Sequence, residues 1–302
     1  MRIGISVNES QSTSDPLAGI RAELDSAASN GFASAWLPHI FDIDALTIIG
    51  ALSPEFPGLE LGTAVVPTYP RHPAALAQQA RTIQLLAGGR LTLGIGTSHR
   101  RLIETCFGIE FNRPATHMSE YLEILVPLLE GRPAEFDGEL LHAHLQLHVP
   151  GERVPVLLAA MAPGMLRLAG SRAEGTILWM TGPKAIERHV APILFGAAAE
   201  AGRPRPRIVC LLPVCVTGDP SERREETRIR FDGYQHAPSY KAMLELEGAE
   251  TAGDIAVIGD ARQVTDELLR LEAIGVSDFV AVEIGTAAER RRTREVLRQF
   301  SS

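Results

Sequence analysis

LTLGIGTSHR, residues 91–100, is the stretch that decides the fold. Leu91, Thr92 and Leu93 lead into Gly94-Ile95-Gly96, and three polar side chains follow: Thr97, Ser98 and His99. A glycine pair at the end of such a run has two competing uses. One opens a dinucleotide fingerprint, which needs G-x-G-x-x-G and an acidic residue about twenty positions on. Here His99 stands where the third glycine belongs, and three strand-like runs precede this one. The other use is a barrel strand ending at an active site. Gly96 then lets the backbone turn out of the strand, or lets a flat ligand approach it, and Thr97, Ser98 and His99 face the barrel mouth. The simpler alternatives are Thr97 or Ser98 as a cap of the next helix and His99 as a surface residue beside Arg100 and Arg101.

The pattern on either side favours the barrel. Residues 3–7 read as a first strand, and Asp15-Pro16 opens a helix that stops at Asn30-Gly31. Strands over 33–37 and 59–66 flank a helix near 44–52, and His72-Pro73 opens a helix ending at Gly88-Gly89. After the strand over 91–95, the next helix falls at about 116–129. Residues 135–149 break the rhythm as extended chain with a turn at Asp137-Gly138, a hairpin within an insertion near 132–150. Strands over 154–159, 175–180, 207–216 and 278–282 then alternate with helices over 164–170, 183–201, 222–246, 263–273 and 287–300. Eight mostly apolar strands, each followed by helix, suit a sheet buried on both faces and closed on itself. The expected fold is α/β, a (β/α)8 TIM barrel with an inserted hairpin, as a single domain over residues 1–302. A doubly wound open sheet is the rival. Residues 235–254 are placed as a candidate lid.

Composition bounds the partners. Hydrophobic residues make up 45% of the 302 and charged residues 22%, enough for a large core. The net charge of −8 argues against a nucleic-acid binder, which needs a basic patch. No run is long enough for a membrane span and the N-terminal apolar run is too short for a secretory signal, so a cytoplasmic location is expected. Cys210 and Cys215 lie in an apolar run and read as core residues of a reducing compartment. His142, His144 and His148 alternate with apolar residues, which puts them on one strand face. No carboxylate or cysteine in that run completes a ligand set, so the face reads as solvated and no metal is expected.

A family resemblance joins these pieces. LELGTAVVPTYPRHPAALAQQARTIQLLAGGRLTLGIGTSH, residues 59–99, resembles the core signature of the bacterial-luciferase-like oxidoreductases, most closely the branch that uses coenzyme F420, the deazaflavin. The likeness continues at VPVLLAAMAPGMLRLAG, residues 154–170, at residues 173–180, and at IAVIGDARQVTDELLRLEAIGVSDFVAV, residues 255–282. WLPHIFDIDALT, residues 36–47, is similar to short F420-dependent reductases.

The resemblance implies a barrel whose cofactor ring sits at the C-terminal mouth, backed by a bulge in the third strand. Its non-proline cis peptide would fall at Ala64-Val65. It implies a cofactor phosphate at the start of the helix after the fifth strand, matching Ala160, Met161, Ala162 and Gly164, with Thr97 and Ser98 near the ring. Pro163 has no N–H and cannot be a donor there. Trp179 and Met180 end the sixth strand, where they line either the pocket or the core. Two departures stand out. Deazaflavin-dependent sugar-phosphate dehydrogenases carry a glutamate where this chain has His99, and an aspartate-histidine pair where it has Pro38-His39. His39 and His99 therefore become the candidate acid–base residues. The expected activity is hydride transfer between F420 and a small organic substrate. A reduced-FMN-dependent monooxygenase and a non-catalytic flavin-binding relative are the alternatives. The resemblance also allows a homodimer, which no residue requires.

Overall fold

The computed structural model describes residues 1–7 and 15–300. Eight parallel strands close into a barrel: β1 (Arg2–Ser6), β2 (Ser34–Leu37), β3 (Glu60–Thr63), β4 (Leu91–Gly96), β5 (Val156–Leu158), β6 (Gly175–Trp179), β7 (Arg207–Val216) and β8 (Asp278–Glu283). Gly4 of β1 lies beside Ser34 of β2 on one side and Val280 of β8 on the other, which closes the ring. The segments expected as strands are those found. A three-residue strand, Val257–Gly259, also pairs with the end of β7 and has no counterpart in the sequence reading.

Side chains alternate across the barrel wall. Trp36, Leu157, Ile177, Val209, Leu211, Val280 and Val282 pack together inside it, while the opposite parity packs against the helices. Trp36 is fully buried, its indole N–H donating to Ser34 Oγ at 2.9 Å.

The glycines of LTLGIG answer to the third strand. The register between β3 and β4 runs Leu61 to Leu91 and Gly62 to Thr92, breaks, then resumes with Val66 opposite Ile95 and Pro67 opposite Gly96. It slips by one residue, so β3 carries a bulge at Ala64-Val65. The peptide between these two residues is cis. A side chain on Gly94 would start 2.0 Å from the Thr63 carbonyl oxygen. Thr63 Oγ1 accepts from the Gly94 N–H at 2.9 Å and donates to the Gly94 carbonyl at 2.8 Å. Because the obstacle is backbone, it cannot rotate away. Gly94→Ala is expected to cost about 2 kcal/mol, read as a lower urea midpoint, whereas an unchanged midpoint would mean that the bulge is plastic.

The N-terminal ends of the strands meet in an ion network. Arg207 bonds Asp278 through two nitrogens, at 2.7 and 3.1 Å, and Glu60 at 3.0 Å. Glu60 also takes Arg2 at 2.6 Å and the Thr92 hydroxyl at 2.7 Å. Burial pushes the Glu60 carboxyl up, but Arg207, Arg2 and Thr92 outweigh it and hold it below the usual range.

Helices depart from expectation in three places. Arg100–Phe107 is a helix that the sequence reading left out; it buries only Ile103 and stops at Gly108, φ 65°. The segment 183–201 is not one α-helix but contains a π-helical turn, Ile186–Val190. The charged stretch breaks into Pro220–Arg230, Asp232–Gln235 and Pro238–Glu247, since Pro238 cannot continue a preceding helix. The inserted hairpin pairs Ala134–Asp137 with His142–Leu145. His148 lies beyond the strand, so only His142 and His144 share its face. The carboxylates absent from that run come from the opposite strand: His144 bonds Glu135 at 2.8 Å and Asp137 at 2.9 Å. Among the described residues, no helix is long and apolar enough to cross a membrane.

Candidate active site at the barrel mouth

The C-terminal ends of the strands bring most of the candidate residues to one face. Ala64 and Val65 on the bulge, Ala159 after β5, and Trp179 ending β6 are all half-buried and rest on the interior cluster around Trp36. They form a floor across the mouth. Ser98 and Met180, both non-glycine residues just beyond strand ends, are in the left-handed region, φ 61° and 53°.

His39 follows β2. Its Nδ1 accepts from the Ala45 N–H at 3.3 Å, so the neutral ring carries its proton on Nε2. That nitrogen lies 3.7 Å from Asp44 Oδ2 and 3.3 Å from an Arg71 guanidinium nitrogen. Asp44 caps the helix Ala45–Leu52 through the Thr47 N–H at 2.8 Å and binds Arg71 at 2.6 Å. The pair expected to lack its aspartate therefore has one, five residues after the histidine, with Arg71 closing the group. Burial lowers the His39 pKa; Asp44 works against that and Arg71 with it. The Asp44-x-x-Thr47 cap is visible in sequence, whereas nothing there points Arg71 at His39.

His99 differs. No side-chain hydrogen bond of its ring occurs among the described residues, and its pKa is lowered by burial alone. It precedes the helix Arg100–Phe107 as its cap residue without a side-chain capping bond, so neither Thr97 nor Ser98 caps that helix. Thr97 Oγ1 makes only a long contact, 3.5 Å, to the Ser98 carbonyl. The Tyr240 ring packs on His99 at 5.5 Å. Tyr240 belongs to Pro238–Glu247, so this part of 235–254 lies over the end of β4. Trp179, Phe231, Tyr234 and Tyr240 continue the wall edge to face, with centroids 5.2 to 5.7 Å apart along the chain of contacts. The buried indole nitrogen of Trp179 has no hydrogen-bond partner; the Tyr234 hydroxyl interacts with it only outside hydrogen-bond geometry.

The helix Pro163–Arg172 begins after Ala162, with no side chain capping it. Thr176 Oγ1 donates to the carbonyls of Leu158 and Ala160, at 2.9 and 3.2 Å, and His189 Nε2 lies 2.8 Å from the Met161 carbonyl. With those carbonyls turned into the protein, the N–H groups of Met161, Ala162, Gly164 and Met165 have no protein acceptor among the described residues. A side chain on Gly164 would meet nothing within 4 Å. Four free donors at a helix start suit an anion. A cavity of about 340 Å³ bordered by Lys184, Arg224, Glu247 and Arg270 is separate; none of the mouth residues line it.

A third buried histidine went unnoticed in the sequence. His117 stacks on Tyr69, centroids 4.0 Å apart and planes 8° apart, with Nε2 3.0 Å from Thr68 Oγ1. Burial pushes its pKa down to about 4 from 6.5, partly opposed by Glu120. The folded state thus favours neutral His117. The stability it contributes is fully present above about pH 6.5 and is lost as pH falls toward about 4. Between about pH 7 and about pH 5 the expected loss is about 2 kcal/mol. His117→Gln should flatten that part of the urea-midpoint profile; an unchanged slope would assign it to other groups.

Comparisons with known proteins agree with this geometry. Over 290 residues, 89% of this chain and 86% of the relative, the sequence is 28% identical to 5,10-methylenetetrahydromethanopterin reductase of Archaeoglobus fulgidus. The solved coenzyme F420 dependent tetrahydromethanopterin reductase of Methanopyrus kandleri superposes with a TM-score of 0.77 at 21% identity, over 99% of this chain and 97% of that one. The oxygenating constituent of 3,6-diketocamphane monooxygenase of Pseudomonas putida, solved with FMN, superposes with a TM-score of 0.75 at 18% identity, over 99% and 97% of the two chains. Residues 1–278 match the family described as luciferase-like monooxygenase. With its closed eightfold barrel, bulged third strand and inserted hairpin, the chain belongs to the luciferase-like monooxygenase family, a family of oxidoreductases.

Proposed function

We propose that this enzyme transfers a hydride between coenzyme F420 and a small organic substrate at the barrel mouth. One observation carries the reading above the others: His99 presents an unbonded, half-buried imidazole at the edge of the floor formed by Ala64, Val65, Ala159 and Trp179. The similarity to the F420-dependent reductase supports the choice of cofactor. When bound, the deazaflavin supplies the carbon that gives or accepts the hydride.

The chain's own residues fit such a group. The bulge offers the ring a flat apolar backing, with Thr97 and Ser98 at its edge. The free N–H groups of Met161, Ala162, Gly164 and Met165 suit the phosphate. The orphaned Trp179 N–H is a buried donor that a bound ligand would satisfy. Tyr240 and Phe231 shield the mouth from water. His99 holds or takes the proton that accompanies the hydride. His39 has both ring nitrogens in contact with Ala45, Asp44 and Arg71, which suits it to shaping the rim more than to proton transfer.

A monooxygenase using reduced FMN is the second reading, favoured by the similarity to the FMN-bound structure and by the same floor and helix start. A side-by-side titration of oxidised F420 and FMN separates the two. F420 is expected to bind at micromolar or tighter Kd, about tenfold or more ahead of FMN. Preference for FMN overturns the proposal and directs the work to oxygen-uptake assays. Binding of neither removes the floor and the helix start as a cofactor site.

A further inference from the structure

Resting on the hydride-transfer reading, we infer that the substrate is a neutral, apolar, ring-bearing molecule held at the rim by Phe41 and Phe107. These are the only exposed phenylalanines among the described residues, 59% and 39% exposed, and their rings lie 5.9 Å apart. They come from separate loops. Phe41 is two residues beyond His39, and Phe107 ends the helix that begins directly after His99. That helix therefore leans from the end of β4 across β3 to the loop after β2, carrying a ring to the rim. Ile40, 52% exposed, extends the patch. Single exposed apolar residues are ordinary; a phenylalanine pair assembled from the two loops that carry both candidate histidines marks a place that something apolar covers.

The charges on this side are already committed. Arg71 is bound to Asp44 and Gln79, and Arg100 to Glu104. A phosphate or carboxylate would exchange its hydration for aromatic rings and find neither guanidinium free. A flat apolar ring instead gains contact with Phe41 and Phe107 on one side and the Trp179–Tyr240 wall on the other. In the reducing direction the C–H bond of the reduced cofactor breaks, and its electron pair forms a C–H bond on the substrate's C=C or C=O carbon. The displaced π pair takes the proton from protonated His99. The substrate gains two electrons and the cofactor loses two.

Calorimetry on the F420-loaded protein tests this with phenylcyclohexenone and its carboxylate-bearing analogue. The neutral compound is expected to bind about tenfold tighter or more, and Phe41→Ser and Phe107→Ser each to weaken it about tenfold with F420 affinity unchanged. Equal binding of the two compounds, no binding of either, or unchanged affinity in both variants overturns the inference. So does a change of oligomeric state in the variants at unchanged affinity, which would make the patch an interface between copies. If F420 itself does not load, the function reading fails, and the same titration on the unloaded protein still decides for or against the apolar rim.

Discussion

His99→Ala is expected to lower kcat by about 10²- to 10³-fold while leaving F420 affinity within about twofold of the parent. Positioned general acid–base catalysis contributes about that much, and the ring has no structural bond to lose. The pH dependence gives the assignment its sign. Burial lowers the His99 pKa below 6.5, because the charged ring is less well solvated there than in water. Reduction of substrate needs the imidazolium, so its kcat should fall as pH rises through that lowered pKa. Oxidation in the reverse direction needs the neutral ring and should rise over the same interval. The alanine variant should lose both limbs, and added imidazole should restore part of the rate. A variant that keeps its kcat, or that keeps the limb, would return the proton transfer to another group, with the Tyr240 hydroxyl the first to test.

The barrel was legible in the sequence because its evidence is periodic. Each strand is a short apolar run closed by turn residues, and burial on both faces demands that pattern whatever the loops do. The hairpin turn at Asp137-Gly138 and the helix starts at Asp15-Pro16 and His72-Pro73 were legible for a similar local reason: their chemistry lies within a few residues. What remained hidden depends on residues far apart in the chain. The purpose of Gly94 is set by the Thr63 carbonyl, 31 positions away along the chain. The Asp44 partner of His39 was missed because the eye looks beside the histidine, while the helix start carries the carboxylate back to it. The helix Arg100–Phe107 lacks an apolar stripe, since it lies across the mouth with only Ile103 buried, so no periodicity announced it. The carboxylates facing His144 come from the paired strand, and register between strands is not written in either one alone.

Asp278→Ala is expected to destabilise the protein by about 3 kcal/mol or more, the largest stability effect of any single change considered. Asp278 begins β8 with its side chain only 1% exposed, and it accepts from Arg207 twice and from Ser277 at 2.7 Å. Removing the carboxylate leaves the Arg207 guanidinium with Glu60 as its remaining anion and leaves a buried gap beside it. Losing one partner of a buried pair costs more than the pair contributes, because the remaining charge stays desolvated. Asp278→Asn, which keeps the shape and one acceptor oxygen, should lose less. The network also has a pH signature through Glu60, whose pKa is lowered from 4.5: its contribution is present above about pH 4.5 and is lost as pH falls through the lower folded value. Asp278→Ala should make that acid limb shallower, since Arg207 is then less firmly held against Glu60. Because the network sits at the N-terminal ends of the strands, the full depth of the barrel from His99, kcat per folded molecule should not change. A loss under about 1 kcal/mol would show that Arg2 and Glu60 re-form the network without Asp278, whereas a loss of kcat in fully folded protein would show that strain at one end of the barrel reaches the other.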